Sequence, residues 1–455
     1  MGGCGAAGSR RLSMFDSPLI DSLLIQIFRF RTRGFLRLEE AVGAVPAVPH
    51  GGGCYLYAHI PFCEVLCPFC SFHRVQHCHE QAQRYFAALR AEIRLYDAAG
   101  HCFSGVYFGG GTPTTEPDEL AETIALVRQL FGVTEVSVET NPRDLRPATL
   151  DLLRRAGVTR LSVGVQSFDD HLLREMGRYD KYGSGAEIAE HIRAAAGIFP
   201  TLNVDLIFNQ PHQSLASLER DLEIFQTLGA NQLSCYPLMT SPTVQRRMRE
   251  TMGAPDSRRL RLFYKTILRR LPPQFAPISA WCFTRQGNGD DEYIVAAENY
   301  VGVGSGAFSY LDGILYATTF SLAAYERRIA QGLTGIVMSH QLGEGDQMRY
   351  ALLVRMFGLG LDREWAQRRY GSRFFRKVWG ELRTLEVLGA VRRDTRGWRL
   401  TERGQYWLML MMSEFFASVN VYRDGMRIQT SEALKVTQPA GEPTAVAARG
   451  IAVLS

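Results

Sequence analysis

The chain has 455 residues, of which 46% are hydrophobic and 21% charged, with a formal net charge of +5. That is enough apolar material for a sizeable core, and the length calls for a large α/β domain plus a smaller one. No apolar run is long enough to span a membrane, the N-terminus lacks the apolar stretch of a secretory signal, and nine cysteines, an odd number, argue against a disulfide scaffold and for a metal or redox site in a reducing, cytoplasmic setting.

Residues 1–50 read as an N-terminal extension, partly flexible. MGGCGA begins like a myristoylation site, but Ala6 stands where Ser or Thr is expected, and Met14 is an alternative start. Glycines at Gly51–Gly53 then mark a turn. Residues 51–315 alternate short apolar strands with amphipathic helices. Strand candidates begin at Tyr55, Gly105, Glu135, Arg160, Leu202 and Gln232. Between them, Tyr85, Leu89, Ile93 and Tyr96 fall on one helical face, as do Leu120, Ile124, Val127 and Phe131. Repeated β-α units with nearly continuous apolar strands predict a parallel sheet covered on both sides. The expected fold is α/β: a partial (β/α) TIM-type barrel of about six parallel strands, with a doubly wound open sheet as the competing architecture. Residues 316–428 change character and predict a mainly helical C-terminal domain with a winged-helix-like element, in which the helix around FFRKVWGELRTLEV precedes the hairpin VRRDTRGWRLTERG. Residues 429–455, low in large apolar side chains, read as a flexible tail.

Directly after the first strand, Cys63, Cys67 and Cys70 form a C-x3-C-x2-C segment. Three thiolates on so short a loop can converge on one metal centre. A structural zinc takes four closed ligands, and a cubane iron-sulfur cluster normally takes four cysteines, so a trio leaves one coordination position open. The competing readings are a zinc knuckle completed by Cys78, His73 or His77, or simply buried thiols. His59 reads as a support for the loop, and His73, His77 and His79 as exposed loop residues.

C-x3-C-x2-C with Phe69 before the third cysteine resembles the radical S-adenosylmethionine (SAM) superfamily. The surrounding YAHIPFC is similar to the family of oxygen-independent coproporphyrinogen III oxidase and its haem-chaperone relatives, and the resemblance runs from about Tyr55 to Gly404. It implies that Cys63, Cys67 and Cys70 hold a [4Fe-4S] cluster whose open iron binds SAM, giving a 5′-deoxyadenosyl radical. The cofactors implied are this cluster and one SAM, with a second SAM as an option.

A barrel predicts polar or glycine residues at the C-terminal ends of successive strands. The sequence has them: GGGTPT with Gly110, Gly111 and Thr112, then Glu139, then Gln166 followed by Arg178, then Asp205 inside an apolar strand. A charge in such a strand costs free energy unless it is paired or liganded. The resemblance makes Gly110, Gly111, Thr112 and Glu139 contacts to SAM, and places Gln166, Arg178 and Asp205 around a second SAM or substrate pocket. Tyr57 and Phe69 would frame the adenosine, with Phe308 as a further apolar contact. No catalytic residue is singled out.

The chain also departs from the family pattern. Phe72 stands where the oxidase type carries a fourth cysteine, FNQP (Phe208–Pro211) replaces YGLP, and Pro237 replaces a small residue. The chaperone type's haem-binding His-Asn…Tyr-Trp stretch is absent, and Cys282–Tyr293 matches neither type. The resemblance implies a radical SAM oxidoreductase of the coproporphyrinogen-dehydrogenase type. The alternatives are a radical SAM C-methyltransferase and a haem-carrying protein. Expected partners are a tetrapyrrole-like small molecule and an electron donor such as flavodoxin or ferredoxin, with no nucleic acid and a monomeric state. The arginines of the wing (Arg392, Arg393, Arg396, Arg399 and Arg403) read as a solvated hairpin covering the barrel mouth rather than a phosphate-binding surface.

Overall fold

The six expected strands form next to one another in the order of the chain: β1 (Cys54–Ile60), β2 (Gly105–Gly110), β3 (Glu135–Thr140), β4 (Arg160–Gln166), β5 (Thr201–Phe208) and β6 (Gln232–Pro237), each parallel to the next. The computed structural model describes residues 18–32, 34–50, 53–271, 273–285 and 297–436. A parallel strand needs a crossover, and helices α2 (His79–Ala98), α3 (Pro117–Phe131), α4 (Pro147–Ala156), α5 (Gly185–Ala195) and α6 (Leu215–Gln226) supply it; α1 (Pro18–Thr32) precedes them all. The faces read from periodicity are the buried ones. Tyr85, Leu89, Ile93 and Tyr96 on α2 and Leu120, Ile124 and Val127 on α3 are wholly buried against the sheet.

The sheet extends beyond six strands. β7 (Phe275–Pro277) and β8 (Cys282–Arg285) add antiparallel strands beyond β6. On the other side, β9 (Asn299–Val303) lies parallel to β1, followed by the antiparallel β10 (Phe308–Leu311), β11 (Ile314–Thr318) and β12 (Ile336–Gln341). With the short strand Glu39–Glu40 antiparallel to β12, the result is a 13-stranded sheet, open at both ends, with seven neighbouring parallel strands. The seventh, β9, escapes a reading by β-α alternation because no helix connects it directly to β1.

The winged element is present: α7 (Arg373–Val387) leads into a three-stranded sheet of β13 (Gly360–Asp362), β15 (Gly397–Leu400) and β14 (Val391–Arg393). From it runs α8 (Glu402–Val436). This helix continues past residue 428, where a tail was expected to begin; residues 437–455 lie outside the described residues, as do Met14 and most of Cys282–Tyr293. The stretch Trp407–Met412 is core packing, with Trp407 and Met409 fully buried. Part of the N-terminal extension is also fixed in place. α1 lies along α8, where Asp21 pairs with Arg261 at 2.5 Å and accepts from Tyr406 Oη and Trp407 Nε1, each at 3.1 Å. Among the described residues no helix is long and apolar enough to cross a membrane.

Candidate functional site

The parallel strands deliver their C-terminal ends to one cavity of about 290 Å³. All thirteen residues named above as ligands or contacts line it: Cys63, Cys67 and Cys70 from the loop after β1; Tyr57 and Phe69; Gly110, Gly111 and Thr112; and Glu139, Gln166, Arg178, Asp205 and Phe308.

The cysteine loop is held from below by a buried network. His59 on β1 receives the Tyr57 hydroxyl at Nδ1 (2.9 Å) and meets the His73 carbonyl through Nε2 (2.9 Å), which makes it a neutral Nε2–H donor. Burial pushes its pKa down to about 3. His73 stacks on His59 and bonds Ser305 at 3.1 Å. It is 3% exposed, so the expectation of an exposed loop residue fails: its ring packs behind the loop. His77 and His79 both bond Glu116 Oε1, at 2.7 and 2.8 Å, and neither lines the cavity. Arg74 donates to the carbonyls of Cys67 (2.5 Å) and Cys70 (2.9 Å), tying the loop into its turn.

The glycine edge has a steric cause. Gly110 has φ +118°, and a Cβ there would fall 2.5 Å from the His59 ring; a Cβ on Gly111 would fall 2.6 Å from the Phe62 carbonyl oxygen. Only glycine lets β2 lie flat against the cysteine loop. The Gly110 N–H donates to Glu139 Oε2 at 3.0 Å, and the Tyr107 hydroxyl donates to Oε1 at 2.9 Å. Burial raises the Glu139 carboxyl to about 7, with the Gly110 bond opposing and nearby Asp205 adding to the rise. Asp205 accepts from Ser162 (2.9 Å) and Asn203 (2.8 Å), and burial raises its pKa as well. Beneath both carboxylates lies Arg160, 2% exposed, whose Nε donates to Gln232 at 2.7 Å. Gln166 ends β4 with φ +78°, rare for a residue with a Cβ, at a break in register with β5.

Arg178 lines the cavity with Gln166 and Asp205 and also reaches the cysteine loop. Its Nη1 stands 3.6 Å from Cys67 Sγ, its Nη2 donates to the Gly164 carbonyl, and its plane covers the Tyr182 ring at 4.3 Å. It therefore couples the cysteine loop to the end of β4. Sequence reasoning missed Tyr107, Asn141, Lys181, Tyr236 and Trp281 in the lining, and the whole contribution of α8. Tyr107 was findable: it pairs with Tyr57 across the β1/β2 register, with the rings 6.1 Å apart. Trp281 and α8 carry no local signal, because distant chain segments bring them to the cavity.

The three cysteines are free thiols. Among the described residues, no three His, Cys, Asp or Glu side chains converge tightly enough to hold a single ion. Cys63, Cys67 and Cys70 line the cavity, whereas Cys78, His73 and His77, the residues that would complete a zinc knuckle, do not. Burial raises the Cys63 thiol to about 11, so a cationic centre is what would make it a thiolate.

Residues 57–252 match the radical SAM superfamily. Over that stretch the chain is similar to the radical SAM superfamily. It is 29% identical over 342 residues to an oxygen-independent coproporphyrinogen III oxidase of Cereibacter sphaeroides, covering 69% of this chain and 74% of that one. It is 26% identical over 366 residues to the heme chaperone HemW of Bacillus subtilis, covering 77% and 95%. The solved structure of coproporphyrinogen III oxidase (HemN) from Escherichia coli has the same fold, with a TM-score of 0.67 over 83% of this chain and 95% of that chain at 24% identity. Radical SAM proteins take a [4Fe-4S] cluster and SAM, and the observed donors fit that pair: three free thiols around one cavity, a guanidinium beside one of them, and a glycine edge that lines the cavity without side chains.

Proposed function

We propose that the chain is a radical SAM oxidoreductase acting on a tetrapyrrole-like substrate by oxidative decarboxylation of propionate side chains. The observation that carries this reading is the meeting of Cys63, Cys67 and Cys70 with Glu139, Gln166, Arg178 and Asp205 in one cavity. In this reading the trio binds the cluster. Gly110, Gly111 and Thr112 line the space for the amino-acid end of SAM, with Glu139 as the acceptor for its ammonium. Tyr57, Phe69 and Phe308 exclude water around the adenosine. Arg178 holds the Cys67 side of the loop in register with β4, and Gln166 and Asp205 line the remaining space for a second SAM or for substrate. When bound, the cluster and SAM would supply the radical chemistry that removes a hydrogen atom from a propionate side chain, and loss of CO2 with one electron to a one-electron acceptor would leave a vinyl group.

A second reading, haem carriage, is favoured by the match to HemW over 95% of that protein and by Phe72 at the position of the oxidase type's fourth cysteine. Anaerobically reconstituted protein incubated with SAM, reductant and coproporphyrinogen III tests both. Deoxyadenosine with CO2 release supports decarboxylation. S-adenosylhomocysteine with a methylated product would show methyl transfer instead, and a stable stoichiometric haem complex without turnover would replace the enzyme with a carrier.

A further inference from the structure

The last wall of the cavity comes from α8, whose lining residues begin more than 100 residues beyond Phe308, the last strand residue in the lining. Phe416, Asn420 and Arg423 all line it, at positions i, i+4 and i+7, and so form a single stripe of the helix. Arg427, one turn further, donates to the Phe72 carbonyl and ties this stripe to the cysteine loop. Asn420 is 6% and Arg423 8% exposed. Burying a guanidinium on a helix face is costly unless polar work is done there. Arg423 is held for such work. Its Nη1 donates to Asn420 Oδ1 at 2.9 Å, and its plane sits 5.1 Å from the Phe72 ring and 5.6 Å from the Phe308 ring. A planar, weakly hydrated cation fixed between two aromatic rings at the edge of an apolar chamber suits a carboxylate carried on a flat apolar ligand.

We propose that Arg423, oriented by Asn420, is a specificity-determining residue that binds a carboxylate of the substrate, so that the C-terminal helix selects the substrate while the barrel holds the cofactors. This rests on the substrate class proposed above, but its test does not depend on radical chemistry. The full chain is titrated with coproporphyrin III, a tetracarboxylate, and with its tetramethyl ester, following porphyrin fluorescence. The wild-type chain is expected to prefer the acid by roughly 10- to 100-fold, the range for a charge-assisted hydrogen bond. Arg423→Gln removes that preference while the affinity for the ester stays within about twofold, and Arg423→Lys restores part of it. The ester arm guards against misfolding, because a collapsed cavity would lose both ligands. Equal binding of acid and ester by the wild-type chain, no binding of either, or an acid preference that survives Arg423→Gln overturns the proposal. So does a variant that keeps the acid preference but loses affinity for SAM, since the guanidinium would then serve the SAM carboxylate. Failure of the radical reading shows separately, as absence of deoxyadenosine in the reconstituted protein.

Discussion

The two walls of the cavity are built by different means. The barrel wall repeats one device: an apolar strand buried on both faces ends in a glycine or polar side chain, and the next strand does the same one step round the sheet. Each residue is positioned by backbone already fixed in the ladder, so β2, β3, β4 and β5 place Gly110, Glu139, Gln166 and Asp205 within one space. The helical wall is a single long element, α8, whose placement depends on packing against α1 and the core and on contacts such as Arg427 to Phe72. The first wall is rigid and tied to shared chemistry. The second can change residue by residue without disturbing the sheet, which makes it the place for substrate choice.

The comparison breaks most sharply at the thiols. Replacing Cys67 with Ala should lower SAM cleavage by more than about 100-fold and leave iron near background, since two thiolates do not retain the cluster. Cys102→Ala, at an exposed cysteine outside the cavity, should leave iron content intact, and iron and sulfide analysis separates the two. On the barrel wall, Gly110→Ala forces a Cβ into the His59 ring at positive φ and should cost about 2–4 kcal/mol of stability in a denaturant titration.

Glu139 gives the next largest effect, and its sign follows from burial. Its folded pKa of about 7 lies above the ordinary carboxyl value, so the native state keeps a proton that the unfolded chain has released. Stability of the cofactor-free chain should therefore fall as pH rises from about 4.5 through 7, by on the order of 2 kcal/mol. Glu139→Gln should flatten that slope in melts across the same range. The smallest effect belongs to the wing. Arg392 and Arg396 are exposed and far from the lining, so Arg392→Gln with Arg396→Gln should change stability by less than about 0.5 kcal/mol.

What could be read from the sequence follows the same division. The parallel strands announce themselves as apolar runs, and their functional residues are the ones that break the run: Glu139, Gln166 and Asp205. Those are local signals. β9 was missed because its partner β1 lies some 240 residues earlier and no crossover helix announces the pairing. Arg178 was legible as a cavity residue but its reach to Cys67 was not, because that depends on how the turn after β4 folds back. His73 was taken as exposed because a polar residue in a loop gives no hint that Ser305 and His59 will enclose it. The stripe on α8 carries no local signal, since which face meets a cavity is decided by tertiary packing.

The central claim is that three loop thiolates hold a cluster with an open site for SAM. The most direct test is iron and sulfide analysis of anaerobically reconstituted protein, followed by chromatography for deoxyadenosine after adding SAM and dithionite. The account predicts about four iron and four sulfide per chain and deoxyadenosine formation that vanishes in Cys67→Ala. Bound zinc without sulfide, or SAM recovered intact from a fully loaded cluster under strong reductant, would contradict it.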